Sequence, residues 1–286
     1  MKIKIEATIP TTQYGNLRPT FELEQGDESS VALDSLKELW QRFGESPLKD
    51  KASVSSVTTQ ASTFEKRTTF TGEEVLWNEA DHVYTDMAGK VLLSGSKYAD
   101  QHSPKFDMAM ILPKTAKAWG VDESVLKDIW KMNSDISLHW GSAIHGVLEL
   151  LHKHVGVGEA IATKKELLDN YVTPKQPHLR KVVEDFITKF GLDALPEVLI
   201  SDVKNEMAGT IDRLEILDSE KKVCRVGDYK TNAEMDNKKR LKYQKQLSFY
   251  AQILINHGWT VTGLDLFYLD TTDGWVKEEM EVLSLE

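Results

Sequence analysis

Cysteine is almost absent: Cys224 is the only one in 286 residues. That excludes an internal disulfide, a cysteine-held zinc site and a four-cysteine iron–sulfur cluster within one chain. Any bound metal is left to carboxylates, imidazoles and carbonyls, the donors of magnesium or manganese. No apolar run approaches the roughly 20 residues that cross a bilayer, so no membrane partner is expected. The opening stretch Met1-Lys2-Ile3-Lys4-Ile5-Glu6 alternates like a strand and lacks the apolar core of a secretion leader, so the expected location is cytoplasmic. Internal repeats are missing. So is an excess of positive charge: 35 Lys and Arg stand against 45 Asp and Glu, a formal net charge of −10. This argues against a non-specific coat on nucleic acid, which needs phosphate-neutralising charge. It leaves room for an enzyme that gathers acids at a metal and confines lysines to one groove.

What is present describes a soluble globular chain, 41% hydrophobic and 28% charged, long enough for one sizeable core and a small appendage. Residues 1–45 read as a small accessory or interaction domain. Lys2–Ile9 and Thr20–Leu23 form two strands joined through Tyr14-Gly15-Asn16, followed by a helix over Val31–Phe43. Residues 46–74, rich in Ser, Thr and Lys, read as a linker. A hairpin around Ala88-Gly89 joins His82-Val83-Tyr84 to Val91-Leu92-Leu93. Helices are expected near 122–132, 135–154, 163–170 and 176–190. In the last, Leu179, Val182, Val183, Phe186, Ile187 and Phe190 keep the helical rhythm, and Gly191 stands where a C-terminal cap belongs. Three strands follow, over Glu197–Ser201, Met207–Leu217 and Lys222–Lys230, then a helix over Asn237–Asn256 and strands over Gly263–Leu269 and Trp275–Val282. This order predicts an α+β domain over 75–286, a mixed β-sheet flanked by helices.

The second and third of those strands carry the chemistry. Their even positions are Thr210, Asp212, Leu214 and Ile216, then Lys222, Cys224, Val226, Asp228 and Lys230. A three-residue loop over Ser219-Glu220-Lys221 pairs Ile216 with Cys224, Leu214 with Val226 and Asp212 with Asp228, placing apolar opposite apolar on one face. The same face then ends in two carboxylates roughly 5 Å apart. Such a pair repels unless a cation sits between them, and a divalent metal resolves the conflict. The Tyr229 carbonyl offers a further oxygen. Lys230 supplies a positive charge beside the ion, suited to orienting water or stabilising a pentacoordinate phosphate. Taken alone, an Asp pair with a Lys is more commonly a solvated salt bridge.

Several motifs follow one another along the chain: Gly141-Ser142-Ala143-Ile144-His145 on a helix, Pro196-Glu197 opening a strand, Gly209-Thr210-Ile211-Asp212, Asp228-Tyr229-Lys230-Thr231, and Gln246-Leu247-Ser248-Phe249-Tyr250 on a helix. Together they resemble the RecB-like branch of the PD-(D/E)XK nuclease superfamily, over about residues 75–286. The resemblance implies a restriction-endonuclease-like fold and a Mg2+- or Mn2+-dependent deoxyribonuclease. It implies metal ligation by His145, Asp212, Asp228 and the Tyr229 carbonyl, with Lys230 catalytic and with Glu197 and Gln246 supporting it. Within that branch the chain resembles stand-alone phage-type exonucleases and the mitochondrial genome-maintenance exonuclease. An exonuclease acting on DNA ends in recombination, repair or replication is therefore the leading expectation. Its rivals are an endonuclease of the same fold and a catalytically silent DNA-end-binding adaptor.

Supporting residues divide by context. His145, Glu149 and His152 share one helical stripe beside the apolar Ile144, Val147, Leu148 and Leu151. The Gly-x-x-x-His context favours His145 as a ligand; Glu149 stays open, and His152 reads as a structurally satisfied histidine. Lys238, Lys239, Arg240, Lys242 and Lys245, with Tyr250, are candidate DNA contacts, against the alternative of a solvated basic face. Trp130 and Trp140 read as core, while Tyr243 is a possible base-stacking residue. Residues 1–45 suit docking of a single-strand-annealing recombinase or a single-stranded-DNA-binding protein. Nothing in the sequence fixes the oligomeric state.

Overall fold

Nine strands between Glu65 and Met280 build one mixed sheet. The computed structural model describes the backbone of residues 3–6, 9–10, 16–17 and 20–23, and then residues 64–78, 81–164, 176–231, 235–270 and 274–285. Its strands are β1 (Ile3–Glu6), β2 (Ile9–Pro10), β3 (Asn16–Leu17), β4 (Thr20–Leu23), β5 (Glu65–Thr68), β6 (Glu74–Asn78), β7 (Val83–Thr85), β8 (Val91–Ser94), β9 (Leu195–Asp202), β10 (Met207–Asp218), β11 (Val223–Lys230), β12 (Thr260–Asp270) and β13 (Gly274–Met280). The helices are α1 (Gly95–Gln101), α2 (Met108–Trp119), α3 (Glu123–His152), α4 (Val157–Thr163), α5 (Gln176–Phe190) and α6 (Asn237–Asn256). The helix expected over Val31–Phe43, and nearly all of the one expected over 163–170, lie outside the described residues.

The chain divides into two compact units, one of Met1–Ala52, Phe106–Val147 and Gly156–Asp185, the other of Ser53–Lys105, Leu148–Val155 and Phe186–Glu286. In the first, β1 pairs antiparallel with β4, Ile3 opposite Leu23 and Glu6 opposite Thr20. Helix α2 is capped by the Asp107 carboxylate at its start and by Gly120 in a left-handed conformation at its end. Leu112, Ala116 and Leu126 form a small core with Trp119, Val121 and Trp130 against it, and Trp140 is buried. Both tryptophans therefore pack structurally.

The second unit carries the large sheet. Its order is β13-β12-β11-β10-β8-β7-β6-β5, with β9 also pairing β10. Strand β11 is antiparallel to β10 and parallel to β12, and β12 is antiparallel to β13. The return from β11 to a parallel β12 requires a crossover, and α6 provides it. Leu247, Tyr250, Ala251 and Leu254 of α6 join Leu214, Cys224, Val226, Leu264 and Leu266 in one core. On the opposite face Tyr229 and Phe267 meet Phe186, the ring pairs lying 5.2 and 5.6 Å apart. Gly191 ends α5 at φ +65°, the left-handed cap its position predicts.

Three local differences separate expectation from structure. Glu65–Thr68, inside the stretch read as linker, pairs with Glu74–Asn78. The segments read as two helices near 122–132 and 135–154 form one continuous α3 of 30 residues. The β10–β11 turn spans Ser219–Lys222 rather than three residues, because a bulge between Ile216 and Asp218 absorbs the extra one. That bulge preserves the pairing that matters: Ile216 faces Cys224 and Leu214 faces Val226, as the apolar pattern requires.

Candidate active site

Strand pairing opens a gap beside β10. One edge of that strand meets β8 at Met207 and Ala208, and meets β11 only from Arg213 onward. In between lie Gly209, Thr210, Ile211 and Asp212. There the Asp212 carboxylate bridges toward β11: its Oδ2 accepts the Tyr229 backbone N–H at 2.9 Å. A side chain thus takes the place of a ladder carbonyl, and Asp212 is held against the stretch of β11 that carries Asp228.

Asp228 is 2% exposed. Lys230 Nζ lies 2.5 Å from its Oδ2 as an ion pair, yet that oxygen accepts no well-directed hydrogen bond among the described residues. Its Oδ1 accepts from Gln246 Nε2 at 3.3 Å, and the same amide nitrogen donates to the Tyr250 hydroxyl at 3.2 Å. Burial pushes the Asp228 carboxyl up to about 7; Lys230 opposes this, and the neighbouring Asp212 adds to it. Lys230, charged beside these acids, has its own affinity for a proton raised: burial works against the ammonium, but the Asp228 and Asp212 charges prevail.

Glu197 completes the acid cluster. It occupies the position on β9 between Pro196, which faces Arg213, and Val198, which faces Ile211, and so stands across from Asp212. One carboxylate oxygen from each lies within 4.8 Å of the other. Glu197 holds φ at +47°, a left-handed conformation inside a strand that L side chains seldom adopt. Desolvation raises its proton affinity first, with Asp212, Glu149 and Asp228 adding repulsion. Because the residue as a whole is exposed, solvent screens part of that repulsion, and the direction is what carries weight.

Tyr84 and Gly95, both beside the site, are not singled out by the sequence. Tyr84 on β7 hydrogen-bonds Thr210 through the two hydroxyls at 3.1 Å, and the Glu197 and Asp212 charges add to the burial that raises its pKa. Gly95 and Gly209 flank the Tyr250 ring so closely that a Cβ at either would overlap it. The glycine of the Gly-x-x-Asp strand is therefore a docking notch for α6.

The reverse face of the strands is structural. His152 is buried, its Nδ1 donating to the Leu192 carbonyl at 2.8 Å and its Nε2 accepting from the Tyr229 hydroxyl at 3.1 Å. Burial lowers its pKa, so it serves as a neutral strut, in keeping with the bland reading of its sequence context. Arg213 donates to the Gly191 and Phe190 carbonyls at 3.1 and 3.3 Å, tying β10 to the end of α5.

His145 is half-buried on α3 in the first unit. Arg240 pairs with Glu278 at 2.8 Å, Lys242 with Asp100 at 2.5 Å, and Lys245 donates to the His102 carbonyl at 2.6 Å. Lys238 is exposed and Lys239 half-exposed. Tyr250 is buried rather than presented to solvent, because its ring fills the notch between the two glycines. No helix among the described residues is long and apolar enough to cross a membrane.

Two buried or half-buried aspartates side by side, with the Glu197 carboxylate facing one of them, offer oxygen donors that fit a hard divalent cation. Comparison with known proteins agrees. A family model described as the PD-(D/E)XK nuclease superfamily matches residues 125–284. No curated protein matches the chain. A solved structure titled "Crystal structure of SSO0001" aligns at 14% identity over 56% of this chain and 80% of that one; its TM-score of 0.28 is too low to carry weight.

Proposed function

From the premise that this chain belongs to the PD-(D/E)XK nuclease superfamily, whose members are metal-dependent nucleases, we propose that it is a Mg2+- or Mn2+-dependent deoxyribonuclease acting exonucleolytically from DNA ends. The observation that carries the reading is the buried Asp228 beside Lys230, with Asp212 fixed against the same stretch of β11. Asp212, Asp228 and the Tyr229 carbonyl would hold the ion, and the Gly-x-x-x-His motif adds His145. Bound there, a divalent ion would lower the pKa of water and neutralise charge on the phosphate.

The chain's own groups divide the remaining work. Lys230 faces the acids and can donate to a non-bridging phosphate oxygen as charge develops on it. Glu197, its proton affinity raised, is suited to take a proton from the attacking water at its carboxylate. Gln246 holds Asp228 and Tyr250 together from α6. Of the five basic residues on α6, Arg240, Lys242 and Lys245 pair within the chain, whereas Lys238 is exposed and would meet the DNA backbone.

The branch resemblance supports action on ends, and with it a place in DNA recombination, repair or replication in the cytoplasm. On this reading residues 1–45 dock a single-strand-annealing recombinase or a single-stranded-DNA-binding protein, and adding such a partner should stimulate cleavage. The direct test uses end-labelled linear DNA and covalently closed circular DNA with magnesium, manganese or chelator. Metal-dependent shortening of linear DNA alone is expected. Cutting of the circle would make the protein an endonuclease, and cleavage of neither, with the protein folded, would leave the silent adaptor.

A further inference from the structure

Helix α6 touches the Asp228–Lys230 pair at two points. Gln246 reaches Asp228 Oδ1 at 3.3 Å. One turn earlier on the same helix, Tyr243 places its ring under Lys230, whose Nζ lies 4.9 Å from the ring centroid. The spacings correspond. Residues three apart on a helix share a face and advance about 4.5 Å; residues two apart on a strand share a face and advance about 6.6 Å. Tyr243 and Gln246 on α6 thus match Lys230 and Asp228 on β11, one for one.

The ring matters because of what an ion would take away. In the structure Lys230 is held by Asp228 Oδ2 at 2.5 Å, and its side chain is only 19% exposed. A cation bound by Asp228 competes with the ammonium for that same oxygen. Lys230 then needs a second anchor that bears no net charge and cannot itself ligate the metal. An aromatic face is such an anchor, and its attraction for an ammonium is strengthened where water is excluded. Tyr243 also packs against the sheet core, so its ring is set in place by the fold.

We propose that Tyr243 is a positioning residue that holds the Lys230 ammonium through its ring face, rather than a base-stacking or phosphate-binding group acting through its hydroxyl. This deepens the nuclease assignment and rests on it for its kinetic consequence, but its geometric content can be read without catalysis. Tyr243→Phe keeps the face and loses the hydroxyl; Tyr243→Leu keeps apolar bulk and loses the face.

The first measurement is nuclear magnetic resonance of protein carrying 13Cε-labelled lysine, metal-free and then with magnesium, with Lys230 assigned by its disappearance in Lys230→Arg. A ring-current-shifted Lys230 resonance is expected in the parent and in Tyr243→Phe, in both conditions, and a return to the ordinary lysine position in Tyr243→Leu. An unshifted parent resonance overturns the proposal, whether or not any variant folds. A shift that vanishes with magnesium overturns the second-anchor role. The second measurement is steady-state cleavage: kcat should fall about tenfold in Tyr243→Leu with KM unchanged, and stay near the parent value in Tyr243→Phe. Equal losses in both variants, or a rise in KM alone, would assign the hydroxyl to substrate and refute the proposal. If the parent cleaves nothing, the nuclease assignment fails while the resonance still decides the geometry.

Discussion

At the scale of residues, Glu197 is where local preference and site geometry conflict. Its backbone is left-handed inside a strand, and its carboxylate faces Asp212. Neither is favourable for an isolated fold, and such costs gather at functional positions. Asparagine accepts positive φ more readily and carries no charge. Glu197→Asn should therefore raise the midpoint of thermal unfolding in chelator at pH 8 by about 2–4 °C while lowering metal-dependent cleavage by about a hundredfold. Differential scanning calorimetry and an initial-rate assay read the two effects separately. A variant less stable than the parent, or one cleaving at the parental rate, would show that Glu197 is an ordinary strand-end charge.

Residue-level legibility followed from alternation. Asp212 and Asp228 could be paired from sequence because Leu214, Ile216, Cys224 and Val226 leave only one apolar register, and the structure keeps it through the bulge. Tyr84 was not legible as part of the site, and Tyr243 was legible only as a possible base-stacking residue. Their roles depend on which strand or helix turn lies opposite, and no spacing along the chain encodes that.

Among elements, α6 is the one whose docking decides the site. It supplies Gln246 and Tyr243, and it seats Tyr250 between Gly95 and Gly209. Gly209→Ala should move the helix or the strand, costing about 1–3 kcal/mol of stability. Gly156, where a Cβ would meet nothing within 4 Å and φ is not positive, is the control: Gly156→Ala should change stability by less than about 1 kcal/mol. Urea denaturation of both variants checks this, and an unaffected Gly209→Ala would mean that the Tyr250 contact is loose. Long elements, such as α5 with its regular apolar stripe and the 20-residue α6, could be placed from sequence nearly to the residue. Three others could not. Helix α1 has seven residues and β5 is exposed along its length, so neither shows the burial rhythm on which such a reading depends; α2 keeps that rhythm at Ile111, Leu112, Thr115 and Ala116, but Pro113 interrupts its sequence signal. The gap expected between the helices near 122–132 and 135–154 does not form, because Asn133 and Ser134 cost a helix interior only a few tenths of a kcal/mol each.

For the molecule as a whole, the acid cluster links stability to pH and metal. Asp228 and Glu197 hold protons in the folded state up to about 7 and about 8, well above their ordinary values. A raised carboxylate costs nothing while it is protonated in both states. It destabilises as pH climbs from the unfolded value toward the folded one, because the unfolded chain releases its proton first. In chelator, Asp228→Asn should therefore be more stable than the parent at pH 8, and the gap should close toward pH 4–5. Magnesium or manganese should stabilise the parent more at pH 8 than at pH 5.5, and Asp228→Asn much less at either. Thermal melts across that window supply the check; a gap that widens toward acid would reverse the sign and exclude unfavourable burial of the Asp228 charge.

The claim on which the rest depends is that Asp212 and Asp228 share a divalent ion with Lys230 beside it, and that this assembly cuts DNA. Single-turnover cleavage of end-labelled linear DNA by the parent and by Asp228→Asn, each confirmed folded, in magnesium and in excess chelator, tests it most directly. The parent should cut only with metal, and Asp228→Asn should be slower by about a hundred- to a thousandfold. Cleavage by Asp228→Asn at the parental rate, or parental cleavage that survives the chelator, would contradict it.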